Sequence, residues 1–345
     1  MSNVFFDFLC FYGMLSFENG GITMKEFVIG KNDAGQRLDR WLAKTLPVLP
    51  APLAQKYIRL KRVKINGKGS KRDVRLHTGD VLQLYINDEF FDVPAPENAF
   101  LSVFKPQLDL VYEDENLLLV NKRPGLLCHP DEKERINTLI THIQAYLYQK
   151  KEWDPRRENS FTPALCNRID RNTGGIVIAA KNAETLRIMN QKIKDRELRK
   201  FYLCVIQGSM FPSSGRLEGF LLKDETKKQV TVYKKPVSGG KTAITLYKTL
   251  TSSAGLSLVE CELITGRTHQ IRAQFAAAGH PLLGDGKYGR ERDNREYGRR
   301  IQALWSYKLV FDFSTDAGIL NGLNGQSWTV RDVDFVAEFF PAYRI

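Results

Sequence analysis

Cysteine and histidine are scarce in this chain, with five of each among 345 residues. Cys10, Cys128, Cys166, Cys204 and Cys261 are far apart, odd in number and form no CxxC pair. That spacing disfavours a disulfide framework and favours reduced thiols in a cytoplasmic protein. His77, His129, His142, His269 and His280 form no HExxH and flank no cysteine at zinc spacing, so no metal site is expected. Long apolar runs are missing too, since nothing reaches the ~18–20 residues of a membrane span. The nearest run, Val4 to Phe17, is broken by Asp7 and lacks both a basic flank and a small-residue cleavage site, so it is a poor signal peptide.

Positive charge is plentiful. Lys and Arg number 51 against 39 Asp and Glu, a net charge of +12 that points to a polyanionic partner. The apolar content of 43% is ordinary for a globular protein and excludes global disorder. A chain of this length has room for two domains.

Residues 1–23 read as a non-structural extension ahead of a credible start at Met24, whose Lys-Glu-Phe-Val-Ile-Gly opens a strand and a domain. Leu38, Trp41, Leu42 and Leu46 recur at helical spacing. After a break at Pro47, Pro50 and Pro52, a second helix is expected over 54–61. The strand VKI then runs into an Asn66-Gly67 turn, and a second strand follows Thr78-Gly79-Asp80. Residues 56–75 hold nine basic residues, among them Arg59, Lys61, Arg62 and Lys64, against the single acid Asp73, a local charge of +8. Tyr57, Ile58, Leu60, Val63 and Ile65 are interleaved with them, which fits a folded nucleic-acid-binding module better than a tail. The acidic, Pro-containing stretch 89–107 reads as a linker. From 108 to the end, short apolar strands mix with a few helices without regular βαβ alternation, so the expected class is α+β.

Four segments of the second half carry polar residues suited to chemistry. In NKRPGLLCHP, a buried strand over 117–120 leads into a turn. In NRIDRNTGG, Asp170 stands between Arg168 and Arg171, a setting that suits a nucleophile or an electrostatic stabiliser but also an ordinary turn. KFY places Lys200 and Tyr202 on one side of a strand. In TGRTHQIR, Ile271, Phe275 and Ala278 mark the apolar face of a helix that ends at Gly279, and His269 and Arg272 share the opposite face. Arg272 is there free to meet an anion, at a helix start that favours negative charge.

Two resemblances draw these segments together. RLDRWLA, LKRVKINGK and TGDVLQLY resemble the S4 RNA-binding domain, which places a two-helix-and-strand unit over 24–88. NKRPGLLCHP, NRIDRNTGG, KFY and TGRTHQIR with GHPLLGD, in that order, resemble the RluA-type pseudouridine synthases of the large-subunit ribosomal RNA branch. The resemblance implies a mixed, mainly antiparallel sheet with a central cleft over 108–345. It also implies isomerisation of uridine to pseudouridine in RNA after the base is flipped out. Asp170 would be the catalytic aspartate, Tyr202 the ring packed on the base, and Arg272 its ion-pair partner, with a bidentate pair fixing orientation as well as charge. Arg168 would hold the place of the flipped nucleotide, and Lys200, His269 and the S4 cations would contact RNA. No cofactor, no metal, no membrane association and a monomer are expected. Three positions depart from the family pattern: Asn167 where His is usual, Gly174 where Ser is frequent, and Trp305 in QALWS where His is usual. Asn167 and Trp305 leave open a non-catalytic assembly factor, and the same chemistry on transfer RNA stays open as well.

Overall fold

The computed structural model describes residues 17–19, 22–91, 99–224, 226–289 and 291–345. Its contacts divide into two compact units, one holding residues up to Asn98 together with Leu147–Thr162, the other Ala99–Tyr146 and Pro163–Ile345.

In the first unit, strands β1 (Phe17–Asn19) and β2 (Ile22–Val28) precede helices α1 (Leu38–Thr45) and α2 (Ala51–Arg59). Strands β3 (Val63–Ile65), β4 (Lys68–Gly69) and β5 (Val81–Tyr85) complete a sheet of order β1-β2-β5-β3-β4. The helical spacing read from sequence is the packing: Leu38, Trp41, Leu42 and Leu46 are all buried against Ile58, Val63, Leu82 and Leu84. Helix α2 begins three residues earlier than expected, because Pro50 and Pro52 flank its first turn, where a missing N–H is harmless. Most of the extension 1–23 lies outside the described residues. Its described part is not separate from the fold, since Phe17–Asn19 pairs in antiparallel register with Ile22–Met24. Of the expected linker 89–107, residues 92–98 lie outside the described residues; at its ends Phe90 and Phe91 pack on the first core, and Phe100 and Val103 are buried. Their apolar area outweighs the acidic composition that suggests a linker.

The segment Leu147–Thr162 also departs from a plain division at residue 108. Buried Asp33 accepts from Trp41 Nε1 (3.0 Å), Asn159 Nδ2 (2.7 Å) and Ser160 Oγ (2.6 Å). A buried carboxylate needs that full set of donors, and two of them come from this later segment.

In the second unit, β6 (Leu110–Glu113) and β7 (Leu117–Lys122) are followed by α3 (Leu139–Gln149), β8 (Ala164–Leu165), β9 (Gly174–Ala180) and α4 (Ala183–Lys194). Then come β10 (Leu198–Gln207), β11 (Ser214–Asp224), β12 (Gln229–Tyr233), β13 (Lys241–Ser253), β14 (Leu256–Leu263) and α5 (Gln270–Ala277). A short helix, α6 (Glu291–Glu296), leads to β15 (Leu304–Phe311), β16 (Ser327–Thr329) and α7 (Asp334–Phe339). The eleven strands form one sheet whose path runs β12-β11-β13-β14-β10-β15-β9-β7-β6. Every pairing is antiparallel except β9 with β15, which meet in parallel at Gly174 with Trp305 and Gly175 with Ser306. The expected mixed, mainly antiparallel α+β architecture is present.

That parallel seam depends on two glycines. A Cβ on Gly175 (φ +114°) would lie 2.2 Å from the Ser306 carbonyl oxygen, and one on Gly174 would lie 2.5 Å from Trp305 Cε3. Only residues without side chains allow this approach. Two of the departures from the family pattern, Gly174 and Trp305, are therefore one packing feature, in which the indole occupies the space a side chain at 174 would take.

Candidate active site

Asp170 sits in the loop just before β9, and the NKRPGLLCHP segment holds that loop from below. Lys122 Nζ donates to the carbonyls of Leu126 (2.8 Å), Arg171 (2.9 Å) and Arg123 (3.1 Å). Gly125 N–H also donates to Arg171 O (2.9 Å), and Cys128 Sγ donates to Ile169 O (3.4 Å). Three groups of one motif thus clamp the carbonyls on both sides of Asp170. Burial pulls the Lys122 pKa down to about 8. Asn167 turns its side chain to the sheet, where Oδ1 accepts from Ile178 N–H at 2.8 Å.

The partner of Asp170 comes from α5. Arg272 Nη1 donates to Asp170 Oδ2 at 2.7 Å. The bidentate pair expected there is made with Asp285 instead, through Nε to Oδ2 (2.7 Å) and Nη2 to Oδ1 (2.9 Å). Asp285 is wholly buried and also accepts the backbone N–H groups of Lys287 (2.9 Å) and Tyr288 (3.2 Å). Burial works against the Arg272 charge, but the Asp285 bonds outweigh it and raise its pKa. Burial likewise disfavours the Asp285 carboxylate, and Arg272 reverses the effect and lowers its pKa. One guanidinium thus spans two carboxylates, with Asp285 fixing the fork and Asp170 receiving its remaining arm. Among the described residues, Arg168 and Arg171, the sequence neighbours of Asp170, form no ion pair with it.

Helix α5 is not two-faced. Gln270, Ile271, Arg272, Ala273, Gln274 and Phe275 are all buried. The glutamines are satisfied inside: Gln270 Nε2 donates to Ile244 O (3.0 Å), and Gln274 Nε2 donates to Leu217 O (3.1 Å). Such hydrogen bonds are what allow polar residues off the apolar stripe to be buried, and period alone does not reveal them.

His269 precedes the helix in a left-handed conformation (φ 54°). Its Nε2 lies 3.7 Å from Asp170 Oδ2, and its Nδ1 is 2.8 Å from the Tyr288 hydroxyl. That hydroxyl oxygen also accepts Val230 N–H at 2.9 Å, so Tyr288 ties the imidazole to β12. Burial keeps the His269 pKa below the ordinary histidine value. The Arg272 guanidinium carbon lies 5.2 Å from the Tyr288 ring centroid.

These groups border a cavity of about 810 Å³ whose lining includes Arg168, Asp170, Lys200, Tyr202, His269 and Arg272. The volume falls in the range that holds a nucleotide-sized ligand. All six second-unit residues singled out from sequence are thus brought to one cavity. Tyr202 is buried, and that burial, partly offset by a hydrogen bond to Ser306, pushes its pKa up to about 12. Arg168 is exposed at the cavity edge. The S4 cations form a separate feature of the first unit: Arg59 and Lys61 are exposed, Arg62 lies over the Tyr57 ring (5.6 Å) and Lys64 over Tyr85 (4.8 Å). Asp285, Tyr288 and Lys122 receive no role from sequence. Asp285 and Lys122 do stand inside the family-like motifs, and an acid or lysine within an apolar motif is the available signal.

Comparison with known proteins identifies the family. The family model for RNA pseudouridylate synthase matches residues 116–277, and the S4 domain model matches residues 36–82. An uncharacterized RNA pseudouridine synthase of Mycoplasma genitalium is 33% identical over 293 residues, covering 83% of this chain and 88% of the relative. The ribosomal large subunit pseudouridine synthase D of Neisseria meningitidis is 31% identical, covering 81% of this chain and 72% of its own length. In fold, human RNA pseudouridylate synthase domain containing 4 superposes with a TM-score of 0.51 at 20% identity, covering 66% of this chain and 89% of that one. Among the described residues no helix is long and apolar enough to cross a membrane. The chain belongs to the RluA-type RNA pseudouridine synthases that carry an N-terminal S4 domain.

Proposed function

We propose that this enzyme converts specific uridines of large-subunit ribosomal RNA to pseudouridine, with Asp170 acting at the ribose of a flipped-out nucleotide. The observation that carries this reading is the unequal use of the Asp170 carboxylate. Oδ2 is held by Arg272 and faced by His269, whereas Oδ1 has no hydrogen-bond partner among the described residues, and Asp170 lines the cavity. One oxygen is fixed and the other is left for substrate.

In the reaction the N1–C1′ bond breaks, the uracil turns, and C5 bonds to C1′. The C5 proton is lost and N1 gains one, so atoms balance without a donor or an oxidant. Asp170 Oδ1 serves the sugar, by attack on C1′ or by taking a ribose proton. Arg272 balances the carboxylate charge and aims it. Tyr202 packs on the uracil, a contact worth roughly 1–3 kcal/mol. Arg168 at the cavity edge fills the place the nucleotide leaves. The S4 cations Arg59, Lys61, Arg62 and Lys64 add phosphate contacts that select a structured RNA. Relatives named as ribosomal large subunit synthases support the choice of ribosomal RNA. A pseudouridine map of ribosomal and transfer RNA from cells with and without the gene tests it. Loss of one or a few large-subunit positions is expected, and loss confined to transfer RNA would overturn the ribosomal assignment.

A further inference from the structure

Lys200 is in an unusual position for a lysine. It lines the cavity from β10, and burial alone shifts its pKa, downward. Among the described residues its ammonium has no carboxylate or carbonyl partner. Other cations of the lining are differently placed: Arg199 is paired with Glu262 (2.7 Å), Arg272 with Asp285 and Asp170, and Lys194, Arg196 and Arg267 are exposed. A sheltered cation without a counter-ion is costly to keep. Beside it in the lining is Gly266, where a Cβ would lie 3.7 Å from Lys200 Nζ, so the missing side chain leaves space next to the charge.

The strand sets the distance to the base site. The register of β10 with β14 runs without a break through Phe201 and Tyr202, and the irregularity in the pairing with β15 lies on the β15 side. Lys200 and Tyr202 therefore share a face, with Cα atoms roughly 7 Å apart. That spacing is comparable to the span from a uracil ring to its own backbone phosphate.

We propose that Lys200 is the seat of an RNA backbone phosphate flanking the target uridine, so that the substrate supplies the counter-ion the free protein lacks. The reading rests on the function proposed above, with the base over Tyr202. The lining also holds the exposed Lys194 and Arg196, just ahead of β10, and the exposed Arg267, cations that suit the RNA chain continuing toward solvent.

The test compares wild type, Lys200→Met and Gly266→Val, using oligouridylate as the probe. Lys200→Met removes an uncompensated charge, so its melting temperature rises by a few degrees while oligouridylate binding weakens about ten-fold. The slope of log K against log salt falls by about 0.7, the value for one phosphate contact on a single strand. With ribosomal RNA, the loss falls on KM more than on kcat. Gly266→Val keeps Lys200 but fills the space beside it, and weakens oligouridylate binding without the gain in melting temperature. A Lys200→Met variant that melts lower and keeps the wild-type salt slope would overturn the proposal, as would a loss in kcat alone, which would place the ammonium on the reacting base. Unchanged binding by Gly266→Val would also count against it. If the slope depends on Lys200 but wild type forms no pseudouridine in ribosomal RNA, the phosphate seat stands and the substrate assignment fails.

Discussion

Replacing Asp285 with asparagine keeps the shape of a wholly buried side chain and removes the charge that fixes Arg272. Oδ1 accepts three donors, from Arg272 Nη2, Lys287 N–H and Tyr288 N–H, so the amide oxygen of the variant is expected to take that place. Its NH2 then faces Arg272 Nε–H, which now donates to Oδ2 at 2.7 Å, and a short hydrogen bond becomes a clash of donors. Breaking a buried ion pair from one side costs about 3–5 kcal/mol. For a chain of this size the melting temperature should fall by on the order of 10 °C. The guanidinium, left with Asp170 as its remaining carboxylate partner, loses its fixed orientation, and a shift of about 1 Å in a catalytic group can lower a rate about 100-fold. Single-turnover pseudouridine formation, assayed well below the melting temperature, should drop by about that factor, with RNA affinity within about two-fold of wild type. A folded Asp285→Asn protein with the wild-type rate would refute the claim that Asp285 aims Arg272.

Gly174→Ala places a methyl group within 2.5 Å of Trp305 Cε3 and should cost about 1–3 kcal/mol in urea unfolding. Combined with Trp305→Leu, the total should fall short of the sum by at least about 1 kcal/mol, and additive costs would contradict the shared packing. The Lys192 hydrogen bond holds Glu197 down to a pKa of about 2, below its ordinary 4.5. Its stabilisation is complete above pH 4.5 and is lost as pH falls toward about 2, so the stability gap between wild type and Glu197→Gln should narrow over that interval. A constant gap would show that the pair does not titrate there. Replacing Lys61, Arg62 and Lys64 with glutamine should flatten the salt dependence of RNA binding by about 0.7–0.9 for each phosphate no longer neutralised, and an unchanged slope would mean these side chains do not touch RNA.

The fold is legible from sequence wherever a short-range pattern determines the structure. Leu38, Trp41, Leu42 and Leu46 announce α1 because one helical face must be apolar. It is not legible where a residue's role depends on a partner far along the chain. Arg272 and Asp170 are 102 residues apart, and their pairing is implied by resemblance, not by spacing. The second carboxylate on the same guanidinium shows only as an acid inside GHPLLGD, and nothing around Asp285 reveals that its partner is the arginine 13 residues before it. The return of Leu147–Thr162 to the first unit is hidden for the same reason, because Asp33 obtains its donors 126 and 127 residues downstream. Composition also misleads at the ends of 89–107, where Phe90 and Phe91 pack on the first core and Phe100 is buried.

Tritium release from uridine C5 by Asp170→Asn protein tests the central claim most directly. The substitution is nearly isosteric, removes the charge held by Arg272 Nη1 at 2.7 Å, and replaces one of the two carboxylate oxygens with an amide NH2. Release from ribosomal RNA labelled at C5 should fall below detection while the variant melts as a folded protein and still binds RNA. Taking an anion away from a site that receives phosphate favours binding, so RNA affinity should be equal to or tighter than that of wild type. Wild-type release by the folded variant would contradict the assignment of Asp170, and with it the roles given to Arg272 and Tyr202.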